Sequence, residues 1–144
     1  MKKTLILLVS LLLIPIITKA QVRERLKDKV EAQRVAFLTR QMDLTPEESA
    51  AFWPLYNEHR SKLESLRKGL NLDEQRIMNL PDREVDKLLD KVIETEYRKT
   101  DLRKAFINDL RGVLPARKIL MIEPLERAFN REVLKRIRGE KPGK

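Results

Sequence analysis

The chain has 144 residues, no cysteine and one histidine, with 31 lysines and arginines against 22 acidic residues for a formal net charge of +9. That length suits a single domain. The missing thiols rule out disulfides and a cysteine nucleophile, and one histidine is too little for a closed transition-metal site.

Residues 1–20 read as a secretory signal peptide. Lys2 and Lys3 come first, an apolar run over residues 5–17 is broken only by Ser10 and Pro15, and Thr18 and Ala20 supply small residues before Gln21. The run is shorter than the roughly 18 to 20 residues that cross a bilayer; an uncleaved membrane anchor is the alternative. With no cysteine after it, a lipoprotein anchor is excluded. Export points to the periplasm. The remainder divides into one helical domain over residues 21–138 and a basic flexible tail at 139–144. From Gln21 onward 28 basic residues face 22 acidic ones, a net charge of +6, and the excess sits at residues 21–42 and 116–144 rather than between them. Basic ends attract acidic proteins or anionic lipid, and an envelope-structural protein lying on anionic lipid is one reading they allow. Export and the absence of any DNA-binding motif argue against nucleic acid. A chain of this size buries only about two thirds of its unfolded surface, which favours a dimer.

Everything after Gln21 reads as helix and turn, with four glycines and no alternating strand pattern. A first helix is expected over residues 22–42, with Val22, Leu26, Val30, Leu38 and Met42 in one stripe that Arg34 interrupts. Arg34 either snorkels at the core edge or belongs to a mixed apolar and cationic surface. The sequence Leu44-Thr45-Pro46-Glu47-Glu48 then spells a helix start. Thr45 caps the N–H of Glu48, Glu48 reaches back, and Pro46 takes the first helical position, where no N–H is needed. Phe52, Tyr56, His59, Leu63, Leu66 and Leu70 form the seam of this second helix, and Pro54 is expected to bend it.

Residues 71–80 are a linker or short helix. Pro81 and Asp82 open a third helix to about residue 111, roughly 45 Å long, whose two apolar blocks flank an almost wholly polar middle at residues 94–101. A solvated middle suits an open, elongated shape. Gly112 stops this helix and Pro115 starts a fourth, with a seam of Ile119, Ile122, Leu125, Phe129, Val133 and Ile137 and a bend at Pro124. Pro46 and Pro115 lie 69 residues apart and Pro54 and Pro124 lie 70 apart, a faint internal echo of two bent helical hairpins. The fold class is therefore all-α: four long helices with proline bends in an elongated, open, hairpin-built arrangement.

On the residues Leu44, Thr45, Pro46 and Glu48 the sequence resembles the Spy/CpxP family of periplasmic helical proteins, whose hallmark is a twice-repeated Leu-Thr-x-x-Gln motif. Glu48 replaces the glutamine, and the second copy, Val113-Leu114-Pro115-Ala116-Arg117, keeps the proline but loses the threonine and glutamine. The run Phe52-Trp53-Pro54-Leu55-Tyr56-Asn57 is similar to the branch labelled as sensors of extracytoplasmic-function sigma factors. The resemblance implies a cradle-shaped antiparallel homodimer that binds unfolded or misfolded envelope proteins without ATP as part of an envelope stress response. The alternative it implies is a regulatory partner of a membrane-bound stress regulator in a sigma-factor or two-component pathway.

No catalytic, cofactor or metal site is expected. Glycine-rich phosphate loops are missing, and His59 sits on the helical seam with Glu58 beside it, about 100 degrees round the helix, where it cannot orient the ring. Asp82, Asp86 and Asp90 share a helix face but stand among Arg83, Lys87 and Lys91, as a solvated charge face would. Candidate client-contact residues are Arg34, Met42, Trp53 and Tyr56; core packing is the plainer reading of Trp53 and Tyr56, and Met42, Met78 and Met121 read as core fillers rather than as an adaptable binding surface.

Overall fold

The computed structural model describes residues 19–70 and 72–139, and among them every regular element is helical. The expected signal peptide lies outside the described residues except for its last two positions, and the tail except for Gly139. Four long helices, α1 (Lys19–Gln41), α2 (Pro46–Leu70), α4 (Asp82–Leu110) and α5 (Ala116–Ile137), are joined by short turns, with a one-turn helix α3 (Glu74–Met78) between α2 and α4. No helix among the described residues is long and apolar enough to cross a membrane.

Local chemistry sets the boundaries. At the end of α1, Asp43 takes a left-handed conformation (φ 48°). The Leu44 N–H then donates to Thr39 O at 3.1 Å and the Asp43 N–H to Arg40 O at 3.3 Å, which closes the helix as a Schellman turn. Two residues later the expected capping box is present: Glu48 N–H donates to Thr45 Oγ1 at 3.2 Å and Thr45 N–H to Glu48 Oε2 at 2.9 Å. Leu44 thus ends one helix while Thr45 begins the next, and its side chain packs against the core. Helix α5 begins after Pro115 without a side-chain cap, as the lost threonine implies. Asp73 caps α3 through the Arg76 N–H at 3.0 Å. Pro54 and Pro124 lie inside α2 and α5.

Four helix ends meet in one core. Leu38 of α1 and Met42 just after it, Phe52 and Tyr56 from α2, Phe106 and Leu110 from α4, and Ile119 and Ile122 from α5 are buried together, with Leu114 of the α4–α5 turn. Antiparallel pairs extend from this hub. Helix α2 runs against α4, from the stacked rings of His59 and Phe106 to Lys91, whose ammonium caps the Gly69 carbonyl at 2.7 Å. Helix α1 runs against α5: Lys118 Nζ reaches Asp43 O at 2.6 Å, and further out Phe37 packs on Phe129 with ring centroids 5.6 Å apart.

Several expectations require correction, among them Ile137, expected on the α5 seam but 76% exposed at the last position of that helix. The α1 stripe reaches the core only at Leu38 and Met42, with Val30 half-buried; Val22 and Leu26 are 47% and 59% exposed. The polar middle of α4 is not wholly solvated either, since Thr95 is buried there. Its hydroxyl donates to Lys91 O at 2.7 Å, so burial leaves no unmet polar group.

Candidate functional site

Where α2, α4 and α5 diverge from the hub they enclose a groove of about 500 Å3. Its floor is apolar, with Leu63, Phe106, Ile107, Ile119 and Leu120, and Arg60, Lys99 and Arg103 stand among its lining residues. Leu120 is 76% exposed although helical on both sides, which leaves a large apolar side chain open to solvent. Arg103 is tied to Glu123 across the α4–α5 pair. A second open groove of about 590 Å3 follows the α2–α4 seam, lined by Leu66, Leu102 and Ala105 with Lys62 and Arg98. Together they form a surface in which apolar side chains alternate with charges of both signs: Arg60, Lys62, Arg98, Lys99 and Arg103 are each paired with a carboxylate, and Asp101, Glu123 and Glu126 line the grooves beside them.

His59 lies at the first groove as a half-buried residue at the core edge, stacked on Phe106 at 4.2 Å and 3°. Burial, then the charges of Arg103 and Lys62, hold its pKa below the usual histidine value. The ring is neutral at pH 7 and acts as an aromatic surface.

At one wall of the groove, which Tyr56, Arg60 and Glu126 help to line, a polar network joins three helices. Arg34 is 8% exposed and forms ion pairs with Glu31 at 3.1 Å and with Glu126 at 3.6 Å. Its guanidinium also donates to Asn130 Oδ1 at 3.4 Å and lies 5.0 Å from the centre of the Phe129 ring. Tyr56 donates to Glu126, and Arg60 pairs with Glu31 at 2.6 Å while covering the Tyr56 ring at 5.6 Å. Burial first, then the hydrogen bond and charge of Glu126, raise the Tyr56 pKa, so the phenol keeps its proton and remains a donor.

Of the four candidate contact residues, Arg34, Met42 and Tyr56 are therefore buried, and only Trp53 is partly accessible. Trp53 meets Phe52 and Tyr56 edge-on, with centroids 4.9 and 5.2 Å away. The alternatives for Arg34 resolve in favour of the interior: three polar partners and an aromatic face take up its charge, rather than solvent. The capping-box residues serve a structural latch, because Lys118 donates to Glu48 at 2.6 Å and to the Asp43 carbonyl. Met78 and Met121 depart from the core role expected of them, at 79% and 38% exposed. Asp82, Asp86 and Asp90 are exposed.

Sequence reasoning missed Glu31, Arg60, Glu126 and Lys118 as network and latch residues, and Lys99, Arg103 and Leu120 as groove residues. For two of them a signal existed. The 70-residue proline offset aligns Glu48 with Lys118 and Tyr56 with Glu126, and both aligned pairs are in contact. The groove had no such signal, since its residues come from three helices whose packing periodicity alone does not specify. Comparison of the chain with protein-family models, curated proteins and solved structures found no match.

Proposed function

We propose that this chain is a non-catalytic, exported envelope-stress protein that holds unfolded clients without ATP. The observation that carries this reading is the open groove among α2, α4 and α5, where exposed Leu120 and further apolar side chains are ringed by the ion-paired Arg60, Lys99 and Arg103. The basic excess at residues 21–42 and 116–144 draws acidic client segments in from a distance, and small apolar patches then hold them weakly, so release needs no nucleotide. Weak contact lets a client fold while bound. An antiparallel homodimer in a cradle shape belongs to the same proposal. Helix α4 carries Leu89, Ile93 and Tyr97, each at least half exposed and spaced four residues apart, a stripe suited to a second copy.

The regulatory reading, a partner of a membrane-bound stress regulator, draws on the sequence block at residues 44–57. In this fold Phe52 and Tyr56 of that block are core, and Thr45 and Glu48 form the helix cap. Those side chains are engaged within the chain, which favours the client-holding reading. Aggregation of several unrelated proteins, followed by light scattering without ATP, tests it. Suppression near equimolar ratio is expected; continued aggregation at large excess, with one membrane regulator captured instead, would replace it with the regulatory reading.

A further inference from the structure

The antiparallel packing of α1 and α5 brings together two segments that are far apart in sequence. The contact of Lys118 with Asp43 at the hub and the contact of Arg34 with Asn130 further out show that both helices lead away from the core side by side. Beyond that last contact, Leu26 lies about 12 Å along α1 from Arg34, and Ile137 about 10 Å along α5 from Asn130, at 1.5 Å per residue. The start of α1 and the finish of α5 therefore project from the same end of the molecule.

That end has an unusual composition. Residues 22–29 and 131–139 hold eight basic and three acidic side chains. Among the described residues none of Arg23, Arg25, Lys29, Arg131, Lys135 and Arg138 is held in an ion pair within 4 Å. Val22, Leu26, Leu134 and Ile137 are 47, 59, 52 and 76% exposed among them. Convergent cations explain attraction to a polyanion, but not four uncovered aliphatic side chains on the same helix tips. A phospholipid surface accepts both, with phosphates pairing the cations and the acyl boundary receiving the aliphatic groups. The pocket between α1 and α5, about 150 Å3 and lined by Phe37, Phe129 and Arg136, lies inward of Leu26 and Ile137, so an acidic peptide seated there would leave both aliphatic tips uncovered.

We propose that this end, built from the start of α1 and the finish of α5, docks on the surface of an anionic phospholipid bilayer. The surface is separate from the groove, so the molecule faces clients while held at the membrane.

The test is co-sedimentation of the chain from Gln21 onward, which contains every core contact, with vesicles of phosphatidylethanolamine alone or with added phosphatidylglycerol. Binding only to the anionic vesicles, lost as salt is raised, is expected. Arg25→Glu, Arg131→Glu and Lys135→Glu together should weaken partitioning at least about tenfold, since each cation near an anionic surface is worth roughly fivefold. The same charge change at the hub end, Lys104→Glu, Arg111→Glu and Arg117→Glu, should have a much smaller effect. Leu26→Ser with Ile137→Ser, which leaves charge untouched and alters two exposed positions, should also weaken binding severalfold. Equal losses from both charge triplets would reduce the effect to net charge and overturn the proposal. So would an unaffected Leu26→Ser/Ile137→Ser variant, or capture of polyglutamate without vesicle binding.

Discussion

Lys118 and Glu48 stand 70 positions apart and meet at 2.6 Å, and Tyr56 and Glu126, also 70 apart, share a hydrogen bond. Each contact joins one residue of the first helical pair to its counterpart by sequence offset in the second. Lys118 also takes the Asp43 carbonyl, so one ammonium ties the α1–α2 turn to the first turn of α5. The uncapped start of α5 is thereby anchored by the capped start of α2.

Thr45→Ala should lower stability by about 1 kcal/mol, the usual cost of an N-cap hydroxyl. Because Thr45 and Lys118 both act on Glu48, Lys118→Ala combined with Thr45→Ala should depart from additivity in a double-mutant cycle by urea denaturation. The pH dependence follows from the same contact. The Lys118 hydrogen bond, then the Thr45 N–H, lowers the Glu48 pKa from 4.5. Its stabilisation is present above pH 4.5 and is lost as pH falls through the folded-state value. Lys118→Ala should flatten that acid limb.

A second pH-dependent step belongs to His59. Its folded-state pKa lies below the ordinary 6.5, chiefly through burial, so the unfolded chain binds a proton more readily than the native one. Stability is full above pH 6.5 and declines as pH falls towards the native value. Urea midpoints measured at about pH 7.5 and 5.5 should differ in the parent chain, and His59→Phe, which keeps the ring stack on Phe106, should narrow the difference.

The buried network should be costly to break from either side. Tyr56→Phe removes the donor to Glu126 and should cost about 1 to 2 kcal/mol. Arg34→Ala leaves Glu31 and Glu126 without a shared cation and loses the cover over Phe129; a loss of about 2 to 4 kcal/mol is expected. Arg34→Lys should recover only part of it, because an ammonium cannot reproduce the forked contacts. Thermal and urea denaturation read all three.

Asp43 offers a gain. Its left-handed backbone is strained for a residue with a Cβ, and Lys118 uses only its carbonyl. Asp43→Gly should raise stability by up to about 1 kcal/mol in urea denaturation.

Leu120→Ser separates client holding from folding. The side chain is 76% exposed and lines the groove, so stability should move by no more than about 0.5 kcal/mol. Suppression of client aggregation should nevertheless fall, and fall further with Arg103→Glu.

The sequence by itself determined the helical class, the four long rods and most of their ends. Those features are local: Thr45 and Glu48 are three residues apart, Pro46 needs no partner for its absent N–H, and apolar spacing along one rod identifies the face that will be buried. Leu38, Phe52, Tyr56, Leu110 and Phe129 were all legible as seam or block residues on that basis except Leu110's place at the shared hub, which needs four helices to exist. Tertiary structure alone decided the rest. Arg34 looked suited to a mixed surface until Glu31, Glu126, Asn130 and Phe129 closed around it from two helices. Val22 and Leu26 continue the α1 stripe in sequence but are left uncovered in the fold. Periodicity reports which way a side chain faces; whether anything meets it there depends on how rods of unequal length are laid against one another.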